Sequence, residues 1–243
     1  MKRLYVVGVA VIFLLGTGVV AAKLFHLPSR FTAARLAWFD PFDSRAAPFV
    51  AESLQQSRRS IQMRNAAVFI GDSITVGLAT SNLAPHSENF GIDGDTVDGL
   101  ISRLPRYDLT KARVIVIEIG VNNYHRDKLT GFEPKYRQLL GLLPHGIPVV
   151  AMAIFPINEH ANWWIPVREA AEAIKKANQE IGRACQQVNT CTFLDLSPSL
   201  GDADGRMKSI YEVGDGIHLS EPAYRVWAAA LAPHIPNEAR CEQ

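Results

Sequence analysis

From residue 66 onward the chain alternates short continuous apolar runs with stretches of helical period. The runs at residues 66–70, 88–92, 112–119, 147–154 and 192–196 are too short for buried helices. Val114-Ile115-Val116-Ile117 in the third has the character of a strand covered on both faces. Helical spacing falls between the runs, at 75–81, 96–104, 133–143 and 166–187, with a last helix at 221–232. Strands separated by helices predict an α/β protein, a three-layer α/β/α sandwich around a five-stranded parallel sheet. Upstream, Val50, Leu54 and Ile61 recur at helical spacing and predict a short amphipathic helix over 49–62. Residues 24–48 carry Pro28, Pro41 and Pro48 with no sustained period and read as a connector.

The apolar run at residues 4–22 is different in kind. It is uncharged throughout, apolar on every face, and flanked by Lys2-Arg3 and Lys23. At about 1.5 Å per residue it matches the hydrocarbon thickness of a bilayer. Two readings stand: a signal peptide cut after Val20-Ala21-Ala22, and an uncleaved N-terminal transmembrane helix. The length favours the anchor, because signal h-regions run about 7–15 residues. Lys2 and Arg3 then stay in the cytoplasm and the body crosses. A dinucleotide-type pattern, Gly16-Thr17-Gly18-Val19-Val20-Ala21, lies inside this run without the preceding strand it needs, and is set aside.

The expected organisation is therefore a transmembrane anchor or signal segment at 1–23, a connector with a short helix at 24–63, a globular domain at 64–237 and a polar tail at 238–243. The formal charge of +1 is an average over these parts. All five charges of residues 1–35 are basic (Lys2, Arg3, Lys23, Arg30, Arg35), leaving 20 basic and 24 acidic residues beyond. A mildly acidic body with no polybasic stretch gives no footprint for nucleic acid.

Three cysteines are too few for a disulfide scaffold. Cys185 and Cys191 sit six positions apart across a helix-to-strand turn, where a bridge and two separate thiols both remain open. No Cys/His cluster has metal-ligand spacing, and Asp202-Ala203-Asp204-Gly205 lacks a further ligand position of a calcium loop and reads as a turn. No metal or cofactor is implied.

Ligands of parallel α/β sheets bind beyond the carboxyl ends of the strands. Four polar clusters fall there: Gly71-Asp72-Ser73 after the first strand, Gly91-Ile92-Asp93-Gly94-Asp95-Thr96 after the second, Gly120-Val121-Asn122-Asn123 after the third, and Asp215-Gly216-Ile217-His218 before the last helix. Singly, these are a helix cap, turn glycines, a turn asparagine and a loop histidine. Together they supply an acyl-transfer site. Ser73 sits where a strand turns into a helix, His218 can take its proton, and Asp215 can hold the imidazole tautomer. The amides of Ser73 and Gly94, with the side chain of Asn122, supply three oxyanion donors. Asp72 reads as an acceptor for loop amides.

In their order, spacing and strand context these blocks resemble the SGNH hydrolases, also called GDSL-type esterases and lipases, over residues 66–236. The resemblance implies a flavodoxin-like fold, a Ser73–His218–Asp215 triad, and an oxyanion hole of Ser73, Gly94 and Asn122. Gly91 is the alternative to Gly94. The family's third block usually ends in aspartate; here it ends in Asn123, so weaker support of that loop is expected, without loss of catalysis.

After the fourth strand, the loop from Phe155 to Trp164 lies on the same edge. Asn158 and Trp163 are the candidate substrate contacts there; Trp163 and Trp164 can stack on sugar rings, receive an acyl chain, or simply cover the next helix. His125 and His160 read as solvated loop residues. The expectation is an ester hydrolase at the bacterial inner membrane, attached through its N-terminal segment with a periplasmic domain, or secreted after signal cleavage. Its expected substrates are small-molecule or glycan esters, foremost acetylated envelope carbohydrate. The alternatives are a lysophospholipase or thioesterase beside the membrane, and a non-catalytic domain that binds glycan.

Overall fold

The structure is a computed structural model that describes residues 47–124, 129–158 and 170–237. Contacts divide the chain into Met1–Pro41 and Phe42–Gln243, and every described residue belongs to the second unit. The 1–23 segment, most of the connector, Trp163, Trp164, His125, His160 and the 238–243 tail lie outside the described residues. Among the described residues no helix is long and apolar enough to cross a membrane.

Five strands, β1 (Ala66–Gly71), β2 (Ser87–Gly91), β3 (Ala112–Glu118), β4 (Val149–Met152) and β5 (Cys191–Leu194), form one parallel sheet in the order β2-β1-β3-β4-β5. The helices are α1 (Ala47–Gln62), α2 (Ser73–Val76), α3 (Val97–Arg103), α4 (Phe132–Gly141), α5 (Ala170–Gln186), α6 (Ser197–Leu200) and α7 (Glu221–Leu231). The five-stranded parallel sheet expected from the apolar runs is present. Its central strands β1 and β3 are buried at every position, as continuous apolar runs require.

Right-handed crossovers place α3, α4 and α5 on one face and α2 on the other. Packing agrees: α4 lies against both α3 and α5, whereas α7 reaches α2, its Tyr224 hydroxyl donating to the Ile74 carbonyl at 2.9 Å. The predicted helix at 75–81 shortens to the single turn of α2. A Cβ on Gly77 would overlap the Tyr224 hydroxyl, so α7 closes off the space at the end of that turn.

Helix α1 turns the opposite way from its apolar stripe. Leu54 and Ile61 are exposed, at 48% and 58%, while Phe49, Ser53, Gln56, Ser60 and Met63 face inward. The reason is the open edge of β2. Gln56 Nε2 donates to the Gly91 carbonyl at 2.9 Å and Arg59 Nη2 to the Asn89 carbonyl at 3.0 Å, so polar side chains of α1 satisfy acceptors that no neighbouring strand covers. Cys185 at the end of α5 and Cys191 at the start of β5 are joined by a disulfide.

The strand order reverses between β1 and β3, so the crevice opens at the carboxyl ends of these two strands. Gly71 ends β1 there, in register with Gly91 of β2 and Glu118 of β3. A Cβ at Gly71 would overlap the Glu118 carbonyl and the Thr75 hydroxyl, so only glycine lets the three strand ends meet.

Candidate active site

Ser73 is the first residue of α2. Its neighbour Asp72 caps the helix, Oδ1 accepting from the Ile74 amide at 3.0 Å. This leaves the serine hydroxyl at the rim of the crevice, 2.9 Å from Nε2 of His218. The other ring nitrogen, Nδ1, lies 2.6 Å from Asp215 Oδ2. Asp215 Oδ1 accepts from the amides of Ile217 and His218, both at 2.9 Å. The carboxylate therefore fixes its own loop with one oxygen and the imidazole with the other. Partial burial pushes Asp215 up, but the His218 hydrogen bond and the two amides outweigh it, and its carboxyl sits below the ordinary range.

The loop carrying Asp215 and His218 needs φ of +101° at Gly214 and +77° at Gly216, both in the region that favours glycine. Four hydrogen bonds hold it. Glu212 Oε2 accepts from the amides of Gly214 and Gly216, the Val213 amide donates to the His218 carbonyl at 3.1 Å, and the Asn158 amide donates to the Gly216 carbonyl at 2.7 Å. Asn158 thus reaches the site through its backbone.

The second and third loops converge from the other side. Gly94 has φ +72°, and among the described residues neither its amide nor that of Ser73 has a hydrogen-bond partner. The Gly91 amide, in contrast, donates to Asn89 Oδ1 at 3.0 Å. Gly120, at φ +140°, turns the chain sharply after β3; a Cβ there would come within 2.8 Å of Ile154 and 2.9 Å of Phe132. The turn delivers Asn122, whose Nδ2 donates to the Asp95 carbonyl at 2.8 Å and faces Asp72 Oδ2 at 3.4 Å.

Asn123, where weaker support of the loop is expected, is engaged through both ends of its amide. It is fully buried, its Oδ1 accepts from the Val97 amide at 2.9 Å at the start of α3, and its Nδ2 donates to Asp98 Oδ2 at 3.2 Å. The amide braces the loop because an acceptor stands beside it, which an aspartate at 123 could not serve.

Several contributing residues escape a sequence reading. Arg103 is one; buried on α3, it donates to Asp95, Gln56, Tyr107 and the carbonyls of Gly71 and Phe90. Glu118 is another, and a signal for it existed: it is the carboxylate that follows directly on the apolar run Val114-Ile115-Val116-Ile117. It is 1% exposed and lies directly below Ser73's loop, with Oε2 3.5 Å from the Thr75 hydroxyl. Burial pushes its carboxyl well above the ordinary range, and the charge and hydrogen bond of Asp72 add to this. Burial likewise carries Asp72 up to about 7, against the Ile74 amide and helped by the charge of Asp95. The Asp202-to-Gly205 segment is a turn, Asp202 Oδ1 accepting from the amides of Asp204 and Arg206 at 2.9 Å.

A serine, imidazole and carboxylate in hydrogen-bonded line at the carboxyl edge of a parallel sheet define the class of α/β acyl hydrolases. Within that class, residues 69–226 match the GDSL-like Lipase/Acylhydrolase family, and the chain belongs to it as an ester hydrolase. Platelet-activating factor acetylhydrolase IB subunit alpha1 of Rattus norvegicus is 29% identical over 174 residues, 68% of this chain and 72% of that protein. The fold is shared with a lipase/acylhydrolase from Enterococcus faecalis, at TM-score 0.57 and 22% identity over 73% of this chain and 97% of the other. It is also shared with the catalytic domain of Streptococcus pneumoniae peptidoglycan O-acetyltransferase A, at TM-score 0.54 and 15% identity over 72% and 97%.

Proposed function

We propose that Ser73, His218 and Asp215 form the catalytic triad of this esterase. The observation that carries the reading is the line from Ser73 Oγ to His218 Nε2, 2.9 Å, and from His218 Nδ1 to Asp215 Oδ2, 2.6 Å. Ser73 Oγ attacks the ester carbonyl as Nε2 takes its proton, and Asp215 stays ionised to stabilise the imidazolium. The carbonyl oxygen, now an anion, is met by the amides of Ser73 and Gly94 and by the Asn122 side chain. His218 returns the proton to the departing alcohol, and a water molecule activated by the same imidazole releases the acid from Ser73.

Labelling with a fluorophosphonate tests this. Wild type is modified at Ser73 and the Ser73→Ala variant is not; an unlabelled wild type sinks the assignment.

The proposed substrates are acetyl esters, foremost on envelope carbohydrate. Two similar proteins support the acetyl group, one named an acetylhydrolase and one a peptidoglycan O-acetyltransferase. The bridge between Cys185 and Cys191 supports an oxidising compartment for the domain, in keeping with an N-terminal segment that anchors it outside the cytoplasm. Carbonate extraction of membranes reads the anchor: an uncleaved chain stays in the pellet, a cleaved one does not.

A second reading, hydrolysis of longer acyl esters at a membrane, is favoured by Ile210 and Val213. They are 64% and 60% exposed on the segment that pairs with the His218 loop. A series of esters of graded chain length separates the two. A receiving groove adds about 0.8 kcal/mol, or about fourfold in kcat/KM, per buried methylene, whereas an acetyl-selective site shows a fall.

A further inference from the structure

Helix α1 turns its apolar stripe away from the core. Val50, Leu54, Ser57 and Ile61 recur at intervals of three and four along it, so they share one line on its surface. Leu54 and Ile61 on that line are exposed. Positive charge frames the line. Arg58 and Arg64 are exposed on the helix and just past its end. The Ser57 hydroxyl donates to the Arg106 carbonyl at 2.6 Å, which sets the turn carrying the exposed Arg106 against the same stripe. Among the described residues the Arg58 and Arg106 guanidinium groups have no ion-pair partner. The acid on this turn is Asp108, whose amide donates to Ser60 Oγ at 3.0 Å and whose carboxylate accepts from Thr110, with Lys111 exposed beyond it. Glu52 and Glu88 belong to the other flank of α1, where they meet Gln56 and Arg59.

Apolar side chains rimmed by arginines suit a helix lying in a bilayer interface, where the apolar groups enter the acyl boundary and the guanidinium groups meet lipid phosphates. A second copy of the chain fits less well. A two-fold contact would set the same arginines against each other, and two exposed apolar side chains cover far less than the about 1,600 Å² of a specific interface. The chain ahead of α1 favours the bilayer as well. Between the uncharged run at 4–22 and the helix, residues 24–46 span at most about 80 Å when fully extended, so an anchored domain stays within reach of the surface. At that local concentration, contacts too weak to hold a free protein suffice.

We propose that α1 docks the domain on a bilayer surface rich in anionic phospholipid, with Leu54 and Ile61 entering the interface and Arg58, Arg64 and Arg106 contacting phosphates. This rests on the N-terminal anchor proposed above. The helix runs antiparallel to β2, since Gln56 reaches the Gly91 carbonyl and Arg59, further along, reaches that of Asn89. With α1 flat on the membrane the strands lie along the surface too, and the crevice at their carboxyl ends opens in the plane of the membrane.

The test uses the full chain in proteoliposomes, in a Cys241→Ser background, with an environment-sensitive fluorophore on a single introduced cysteine. The positions are Leu54→Cys, Ile61→Cys and, as control, Leu142→Cys, an exposed apolar site just past α4. Vesicles are made of phosphatidylglycerol with phosphatidylethanolamine, or of phosphatidylcholine alone, and carry nitroxide quenchers on their acyl chains. In the anionic vesicles the probes at 54 and 61 are expected to shift to the blue and to be quenched, and the probe at 142 to do neither. Raising salt from about 0.1 M to about 1 M shortens the screening length from about 10 Å to about 3 Å and weakens both signals. Arg58→Gln combined with Arg106→Gln lowers the docking equilibrium about 25-fold, at about fivefold per cation.

Absence of quenching at 54 and 61, equal quenching in phosphatidylcholine, or an equal response at 142 each overturns the proposal. A blue shift without quenching gives the stripe to protein, and overturns it too: a shift that grows with protein density means a second copy, and one that does not means the chain's own upstream residues. Carbonate extraction reads the anchor separately. A chain that stays in the pellet without quenching keeps the anchor and loses the docking face. A chain released by carbonate, yet quenched when anionic vesicles are added, loses the anchor and keeps the docking face.

Discussion

Arg103 donates through Nε to Oδ2 of Asp95 at 2.8 Å, and neither side chain is exposed to solvent. The same guanidinium ties Gln56 of α1, the Gly71 carbonyl that ends β1 and the Phe90 carbonyl of β2 to this pair, at 2.9, 3.2 and 3.0 Å. Because the Asp95 carbonyl accepts from Asn122, the pair lies under the candidate oxyanion hole. Arg103→Met would leave a buried carboxylate uncompensated and is expected to lower stability by about 3–5 kcal/mol. Arg103→Lys keeps the charge but cannot reach this fork of acceptors, and should recover only part of the loss. Urea denaturation measures both; a methionine variant as stable as wild type contradicts the role.

Asn123→Asp restores the residue usual in the family, yet is expected to weaken this protein. The new carboxylate still accepts from the Val97 amide but loses the donor that meets Asp98. Two acidic groups would then face each other, with Lys135, 2.9 Å from Asp98, relieving part of the repulsion. A loss of about 1 kcal/mol with no gain in kcat is the expected outcome. Higher stability in the aspartate variant would show that the amide is the poorer brace.

Burial holds the Asp72 carboxyl at about 7 in the folded protein, against 3.8 ordinarily. Between these values the folded chain binds more protons than the unfolded one, so this group costs stability progressively as pH rises from about 4 to 7. Asp72→Asn keeps an oxygen for the Ile74 amide and removes the titration. Its stability relative to wild type is therefore expected to rise across that window, by up to about 4 kcal/mol if Asp72 titrated alone. Denaturation midpoints of the two proteins at pH 4, 5.5 and 8 (about the ends and middle of the titration) give the difference; a constant offset refutes the assignment.

Closing a loop with a sequence separation of 6 removes little chain entropy. The bridge between Cys185 and Cys191 should accordingly contribute about 2 kcal/mol, at the low end for disulfides. Replacing both cysteines by serine, or adding reductant to wild type, lowers the thermal midpoint by the corresponding few degrees. Neither change alters kcat, since the bridge joins α5 to the start of β5, the end of that strand away from the crevice. A large loss of activity would show that β5 transmits more than the sheet geometry implies.

The central strands and the proposed triad were legible in the sequence for one physical reason. β1 and β3 are covered on both faces, so their apolar runs are continuous, and chemistry in such a sheet falls at strand ends, where Ser73 and Asn122 stand out as polar. The orientation of α1 was not legible. Val50, Leu54 and Ile61 form its apolar stripe, but the open carbonyls of β2 recruit Gln56 and Arg59 instead, a competition that periodicity does not register. The links from Arg103 to Asp95 and to the carbonyls of Gly71 and Phe90 were hidden differently, since they join residues brought together only when β1, β2 and α3 pack.

Asn122 offers the sharpest test of the proposed oxyanion hole. One of its two side-chain N–H groups is committed to the Asp95 carbonyl at 2.8 Å, which fixes the plane of the amide. The other faces Asp72 Oδ2 at 3.4 Å, too long to hold it against an anion. That N–H is the donor available to the substrate oxygen. Asn122→Ala removes it and is expected to lower kcat by about 10²–10³-fold while KM changes little, because the interaction forms only in the transition state. Asn122→Asp should be worse still. It offers no donor when ionised and adds a carboxylate beside Asp72 and the Asp95 carbonyl, repelling the charge that must develop. Fluorophosphonate labelling of both variants confirms that Ser73 remains reactive; an alanine variant with wild-type kcat removes Asn122 from the oxyanion hole.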